Sequence, residues 1–195
     1  MTQQMHARQT RETTSDNAVN GVDLDILGGT VQSIVNDPAL GKCRFRATNA
    51  WHRGTDNRTT VTGFYGAKQE IQHQQQYVMR ADEPAILAGG DEGANPVEYL
   101  LGALASCVTT SMVAHAAVRG IHIHALESEL EGDIDLNGFL GISDSTPKGY
   151  TDIRVRFRVA TDADNLELLK ELSAFSPVLN TLTQGTNVSI VLKRM

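Results

Sequence analysis

Few residues of this chain could carry chemistry, and the most prominent is Cys107, one of two cysteines together with Cys43. It lies midway along Asn95–Gly120, NPVEYLLGALASCVTTSMVAHAAVRG, with Ser111 and His115 four and eight residues further on. On a helix these three side chains share one broad face. A base within hydrogen-bond reach would make the thiol a nucleophile, but His115 is about 12 Å along the helix axis from Cys107. An intrachain dyad is therefore disfavoured, and His115 reads as a core or interface histidine satisfied by a neighbour. Cys107 itself has two readings. It is a small apolar residue filling a tight contact, as unpaired cysteines often are, or it is a reactive thiol, which requires a lowered pKa and nearby positive charge.

Other chemistry-bearing residues make weaker patterns. His122 and His124 alternate with Ile121 and Ile123, so both imidazoles project from one face of a strand, as a metal pair would require. Two ligands without a third at a recognisable spacing do not make a site. They read as a solvated strand face, and neither a metal nor a cofactor is expected. The carboxylates are scattered and form no paired acid/base signature. Ser176, followed by Pro177, has the ordinary role of a helix N-cap.

The elements that must position these residues are legible to different degrees. Asn95 can cap a helix, Pro96 suits its first position and Glu98 completes a capping box. At the far end Arg119 favours the negative helix pole and Gly120 lets the chain leave in a left-handed conformation. Leu100, Leu101, Leu104, Val108, Met112, Val113 and Val118 go all the way round this helix. A helix facing water on one side would not tolerate that, so a sheet or a second subunit must cover it. Its Ser, Thr, His and Arg residues make it too polar for a membrane.

Around this helix the chain reads in order. Residues 1–20 lack the apolar content to repay ordering and read as a disordered tail. Residues 21–41 form a helical extension, with Ile26, Leu27, Val31, Ile34 and Val35 at helical spacing between Asp25 and Asp37. Residues 42–195 form the main domain. Cys43–Trp51 alternates as a strand, His52–Arg58 is a polar turn, and Thr59–Tyr65 and Gln69–Met79 continue a meander. Pro84–Ala94, with Gly89, Gly90 and Gly93, reads as a flexible lead and a gate near the site. Ile121–Asp135 and Tyr150–Ala160 alternate as a long hairpin. A helix starting at Asp162 or Asp164, a shorter one after Ser176 and a closing strand at Asn187–Lys193 complete an α+β chain with antiparallel strand groups.

Composition limits the partners. A net charge of −6 with mixed signs and no Lys/Arg stripe excludes nucleic acid as a leading partner. Two cysteines outside any CxxC pair fit a reducing cytoplasm. MTQQMHARQTRETTSDNAVNG lacks the apolar core of a secretory signal, and no export is expected.

Two motifs in order, NPVEYLLGALASC (Asn95 to Cys107) followed by a Gly-Ile turn, and SPVLNTLTQGTNVSIVL (Ser176 to Leu192), carry a family likeness. Over residues 42–195 the chain resembles the OsmC/Ohr family, the osmotically inducible and organic hydroperoxide resistance proteins. The resemblance implies an intertwined homodimer with two central helices enclosed by sheets from both chains. It further implies thiol-dependent reduction of organic hydroperoxides in oxidative-stress defence. Peroxidases of that family attack the hydroperoxide with a central-helix cysteine, which Cys107 matches, and resolve the sulfenic acid with a second. Here Ser176 stands at the second-cysteine position, and Val97 stands where a glutamate follows the proline, with Glu98 one place later and about 100° round the helix. Arg53, or Arg58 in the same turn, is the candidate for thiolate support, and Cys43 is a remote candidate for resolution. The implied reductant is an external thiol. The alternative is a non-peroxidase relative that binds a small hydrophobic ligand at the dimer interface, with Cys107 structural.

Overall fold

The computed structural model describes residues 15–194. The tail expected over residues 1–20 therefore lies largely outside the described residues, but its last part is ordered. Ala18–Val19 (β1) pairs antiparallel with Val22–Asp23 (β2) across Asn20 and Gly21, whose φ angles of 54° and 74° suit a tight hairpin turn. Asn20 fastens this hairpin to the rest of the chain. Its side-chain amide donates to the Ile121 carbonyl at 2.9 Å, and its side-chain oxygen accepts from the Ile123 N–H at 2.8 Å.

Asp23 caps Leu24–Asn36 (α1) by accepting from the amides of Asp25 and Ile26. A 3-10 turn, Pro38–Gly41, follows. The first sheet contains Arg44–Phe45 (β3), Thr48–Arg53 (β4), Asp56–Gly66 (β5) and Gln69–Ala81 (β6). β5 is its spine: β3 and β4 lie end to end along one edge and β6 along the other, all antiparallel. The single strand expected over Cys43–Trp51 is thus two short strands, interrupted at Arg46 and Ala47.

Pro96–Val118 (α2) has the expected start, a full capping box at Asn95 and Glu98, and Gly120 leaves at φ 68°. Among the described residues α2 is the one helix long and apolar enough to cross a membrane, yet it packs on the 3-10 turn Ser173–Phe175 and on the strand and helices that follow it. Ile123–Asp133 (β7) and Asp152–Thr161 (β8) pair as a long antiparallel hairpin, with the short helix Leu136–Phe139 (α3) in its loop. Leu166–Leu172 (α4) and Pro177–Gln184 (α5) close the fold. α4 is capped by Asn165 rather than by Asp162 or Asp164, because Asp162 is already engaged by the His122 N–H at 2.9 Å.

The core lies between α2, α4 and the inner face of the β7–β8 hairpin. Leu104, Val108, Met112, Ala116, Leu169 and Leu172 are its buried members, with Leu126, Leu130, Val155 and Phe157 packed against them. The outer face of the hairpin is charged: Glu127, Glu129 and Glu131 stand opposite Arg158, Arg156 and Arg154. This alternation decides which side of the hairpin meets α2.

One expectation does not hold, and another is met only in part within the chain. Asn187–Lys193 forms no strand, and Val188, Ile190, Val191 and Leu192 there are exposed. A strand is defined by the neighbour it pairs with, and none of the described residues pairs with this segment. The second concerns the cover on α2. The Leu104, Val108 and Met112 side is buried, whereas Gly102, Ala103, Ser106 and Thr110 on the other side are exposed, so one chain wraps only part of the helix.

Candidate active site around Cys107

Cys107 sits in the third turn beyond the start of α2, flanking the buried Leu104–Val108 face, and it is half-buried. Among the described residues no hydrogen bond reaches its sulfur. α2 is held by packing against β7, α4, α5 and the turn at Ser173–Phe175. Ser176 lies where that turn passes into α5. It is fully buried, and its hydroxyl accepts the Leu179 N–H at 3.2 Å, so it serves as the expected cap.

His115 is accounted for by its surroundings, as its distance from Cys107 requires. Its ring stacks on Phe175 with centroids 3.9 Å apart, and the Arg119 guanidinium lies over the other ring of that pair, 6.0 Å from the Phe175 centroid. Burial, followed by the Arg119 charge, lowers the His115 pKa and favours the neutral imidazole. His122 and His124 are both exposed, and the strand register shifts between Ile123 and Ala125. His122 lies just before β7 and His124 at the irregularity, and both stand on the solvated side as expected.

The carboxylate expected as a helper is engaged in the helix cap, and the candidate guanidiniums lie elsewhere in the chain. Glu98 accepts the Asn95 N–H at 2.9 Å and lies about 13 Å along the helix axis from Cys107. Val97, in the position next to Pro96, has its carbonyl bound by the Tyr150 hydroxyl at 2.9 Å. Arg53 closes β4 and lines a polar recess with Asp56, Arg80, Asp82 and Glu92. Arg58 stands on β5 opposite Ala50 and Arg80. Cys43 is exposed on the first sheet beside Phe64 and Gly66. A single chain therefore brings Ser176 to the flank of α2, and leaves Arg53, Arg58, Glu98 and Cys43 in other parts of the molecule.

A network that sequence reasoning missed holds the head of α2. Asp82 is 3% exposed and accepts four hydrogen bonds: from the Thr55 hydroxyl at 2.6 Å, and from the N–H groups of Glu83, Gly90 and Glu92 at 2.9, 3.0 and 3.2 Å. Those donors, Thr55 foremost, hold its pKa down to about 2. Arg80 forms a two-pronged ion pair with Asp56 at 2.9 and 3.1 Å and reaches Glu92 at 2.9 Å. The Tyr99 hydroxyl donates to the Arg80 carbonyl at 2.6 Å, and the Asn95 amide donates to Glu83 at 2.5 Å. A side chain at Gly89 would collide with the Glu83 carbonyl. The segment expected to be a flexible gate is thus a folded loop wound around one buried carboxylate. Its only sequence signal was Asp82 itself, followed within about ten residues by glycines.

Fold and site together define an α+β protein built on a long central helix that carries a half-buried cysteine at mid-length. The family model described as OsmC-like protein matches residues 89–191, more than half of the 195 residues, and the chain belongs to that family. The match opens in the Asp82 loop and takes in α2 with Cys107, the β7–β8 hairpin, α4, α5 and Ser176. No curated protein matches the sequence. Solved structures similar to it include an OsmC-like protein from Mycoplasma pneumoniae, at 18% identity and TM-score 0.53, covering 72% of this chain and 87% of that one. Another is a candidate osmotic-stress-induced and detoxification-response protein from Psychrobacter arcticus, at 15% identity and TM-score 0.52, covering 69% and 85%. These likenesses extend the shared fold over a larger share of the chain than the sequence match.

Proposed function

We propose that the protein is a thiol-dependent peroxidase of organic hydroperoxides that works with one cysteine, as a cytoplasmic homodimer. The observation that carries this reading is the position of Cys107: midway along the family's central helix, and half-buried rather than sealed. The Cys107 thiolate attacks the terminal oxygen of ROOH. The O–O bond breaks, ROH leaves with a proton from the surroundings, and the sulfur is oxidised to sulfenic acid. With Ser176 at the second-cysteine position, no disulfide forms within the chain. A small external thiol condenses with the sulfenic acid and releases water, and a second such thiol reduces the mixed disulfide.

In this reading the electrostatic support of the thiolate comes from the second copy, because Arg53 and Arg58 of the same chain lie on the first sheet, away from Cys107, and Arg53 is exposed there. The exposed Gly102, Ala103, Ser106 and Thr110 side of α2 is where that copy would pack. Neither nucleic acid, membrane, metal nor cofactor has a part in the cycle.

Consumption of cumene hydroperoxide in the presence of dithiothreitol tests the proposal: wild type turns over and Cys107→Ser does not, whereas Cys43→Ser keeps activity. Equal turnover by wild type and Cys107→Ser would dispose of it. One observation, the commitment of Glu98 to the helix cap, favours the second reading, in which the family fold binds a small hydrophobic ligand at the dimer interface and Cys107 is structural. Alkylation of Cys107 at neutral pH in the folded protein supports the peroxidase, and alkylation only at alkaline pH or after unfolding supports the binder.

A further inference from the structure

The helix α1 is not covered by its own chain. None of its 13 residues is buried, and Gly28 and Gly29 weaken its first half. A helix this short is marginal in water without packing on one face. Leu24, Leu27, Val31, Ile34 and Val35 fall within about 100° of one another round its axis, and Val31 and Val35 are 54% and 66% exposed. Both ends are nevertheless tied down. Asn20 fastens the preceding hairpin to Ile121 and Ile123, and Asp37 pairs with Lys68 on the β5–β6 turn. The apolar stripe is thus presented at a set place, with nothing of the same chain against it.

The surface of the whole chain decides what covers it. The chain exposes 15031 Å², whereas a compact monomer of its 21.2 kDa mass exposes about 9,000 Å². Subtracting about 160 Å² for each of residues 1–14 and 195, the value for a fully solvated chain, leaves the described residues at least about 3,500 Å² above a compact monomer. A small ligand is far too small to cover such an excess. It matches one half of an obligate homodimer, whose interface buries about 2,000–5,000 Å² or more in total. A lipid surface does not fit α1, which carries Asp25 and no Lys or Arg and so lacks the basic flank that draws an amphipathic helix to anionic headgroups. The cover is needed by the fold itself and has to accompany the chain everywhere, which only another copy of it does.

We propose that α1, which lies before the family match at residues 89–191, packs its apolar stripe against the second copy, so that the N-terminal extension is part of the dimer interface. This packing rests on the homodimer proposed above and not on the chemistry of Cys107. With p-benzoyl-phenylalanine incorporated at position 35, ultraviolet irradiation of the full chain should give a covalent species of twice the chain mass. The same group at position 33, on the opposite side of α1, should give at least about tenfold less. Subunit exchange between isotope-labelled and unlabelled dimers, followed by native mass spectrometry, should be at least about tenfold faster for Val31→Asp combined with Val35→Asp, and within about twofold of wild type for Ser33→Asp. Cys107→Ser should alter neither result. A protein that is dimeric by light scattering but gives no more crosslink from position 35 than from position 33, or exchanges equally fast as wild type and as the double variant, would overturn the docking of α1 and leave the homodimer standing. A monomeric protein would overturn both.

Discussion

Asp56 and Asp82 are the buried carboxylates among the described residues, at 4% and 3% exposure, and both lie at the root of α2 rather than beside Cys107. Asp82 accepts four hydrogen bonds, two of them from backbone N–H groups of the loop at Gly90 and Glu92. Asp82→Asn would turn an amide N–H toward those two donors and leave them unpaired. The folded-state pKa of Asp82 is lowered from 3.8 to about 2, so its stabilisation is fully present above the unfolded-state value. It is lost as pH falls through the interval between those two values. Asp82→Asn should therefore lower the thermal unfolding midpoint at pH 7, and the gap to wild type should shrink as pH drops from about 4 to 2. A gap of constant size across that range would show that the carboxylate charge does not hold the loop. At this scale Cys107, Ser176 as a cap and His115 as a packed histidine were legible from residue type and helical spacing. Asp82 was not, because an aspartate before a glycine-rich stretch looks the same whether it is solvated or buried.

The β5–β6 hairpin turns through Ala67 and Lys68 at φ 47° and 62°, although neither residue is glycine. Left-handed backbone costs an L-residue with a Cβ about 1 kcal/mol. An ion pair between Lys68 and Asp37 holds the turn against the 3-10 segment after α1. Ala67→Gly should thus stabilise the protein by about 1 kcal/mol in denaturant unfolding, and a loss of stability would show that the turn carries no strain. The β7–β8 hairpin was readable because its alternation is strict: one face supplies Leu126, Leu130, Val155 and Phe157 to the core, the other the Glu–Arg ladder in which Arg154 meets Glu131, Asp133 and Asp152 at 3.0, 2.6 and 2.5 Å. These carboxylates hold the Arg154 pKa above its ordinary value. The β1–β2 hairpin was missed although Asn20-Gly21 is a strong turn signal; two-residue strands are too short for a period to emerge.

At the scale of the whole molecule, several apolar surfaces find no cover among the described residues. Among them are the small-residue side of α2, the α1 face with Ile26, Val31 and Val35 exposed, and the terminal segment with Ile190 and Leu192 at 85% and 92% exposure. On the first sheet Phe45, Phe64, His73 and Tyr77 form a run of ring contacts with centroids 5.1 to 5.6 Å apart, and Phe45 is 74% exposed. Exposed apolar area on this scale marks an association surface. Light scattering at micromolar concentration should give twice the chain mass, and Ile190→Asp combined with Leu192→Asp should shift the protein toward monomer. A monomeric wild type would contradict the proposed homodimer and, with it, the proposed supply of thiolate support from a second copy.

The sequence by itself determined the elements whose signals are local: the capped central helix with its cysteine, the alternating hairpin, the Ser176 cap and the family they identify. Propensity, capping and periodicity act over a few residues, and they remain visible in one dimension. Only the tertiary structure decided which residues share a neighbourhood. It committed Glu98 to the helix cap, placed Arg53 at the rim of the Asp82 recess, wound the glycine loop around a buried carboxylate, and left the terminal segment unpaired among the described residues. Those outcomes depend on contacts between residues far apart in the chain, and burial, which turns a polar side chain into a structural anchor, is a property of the fold.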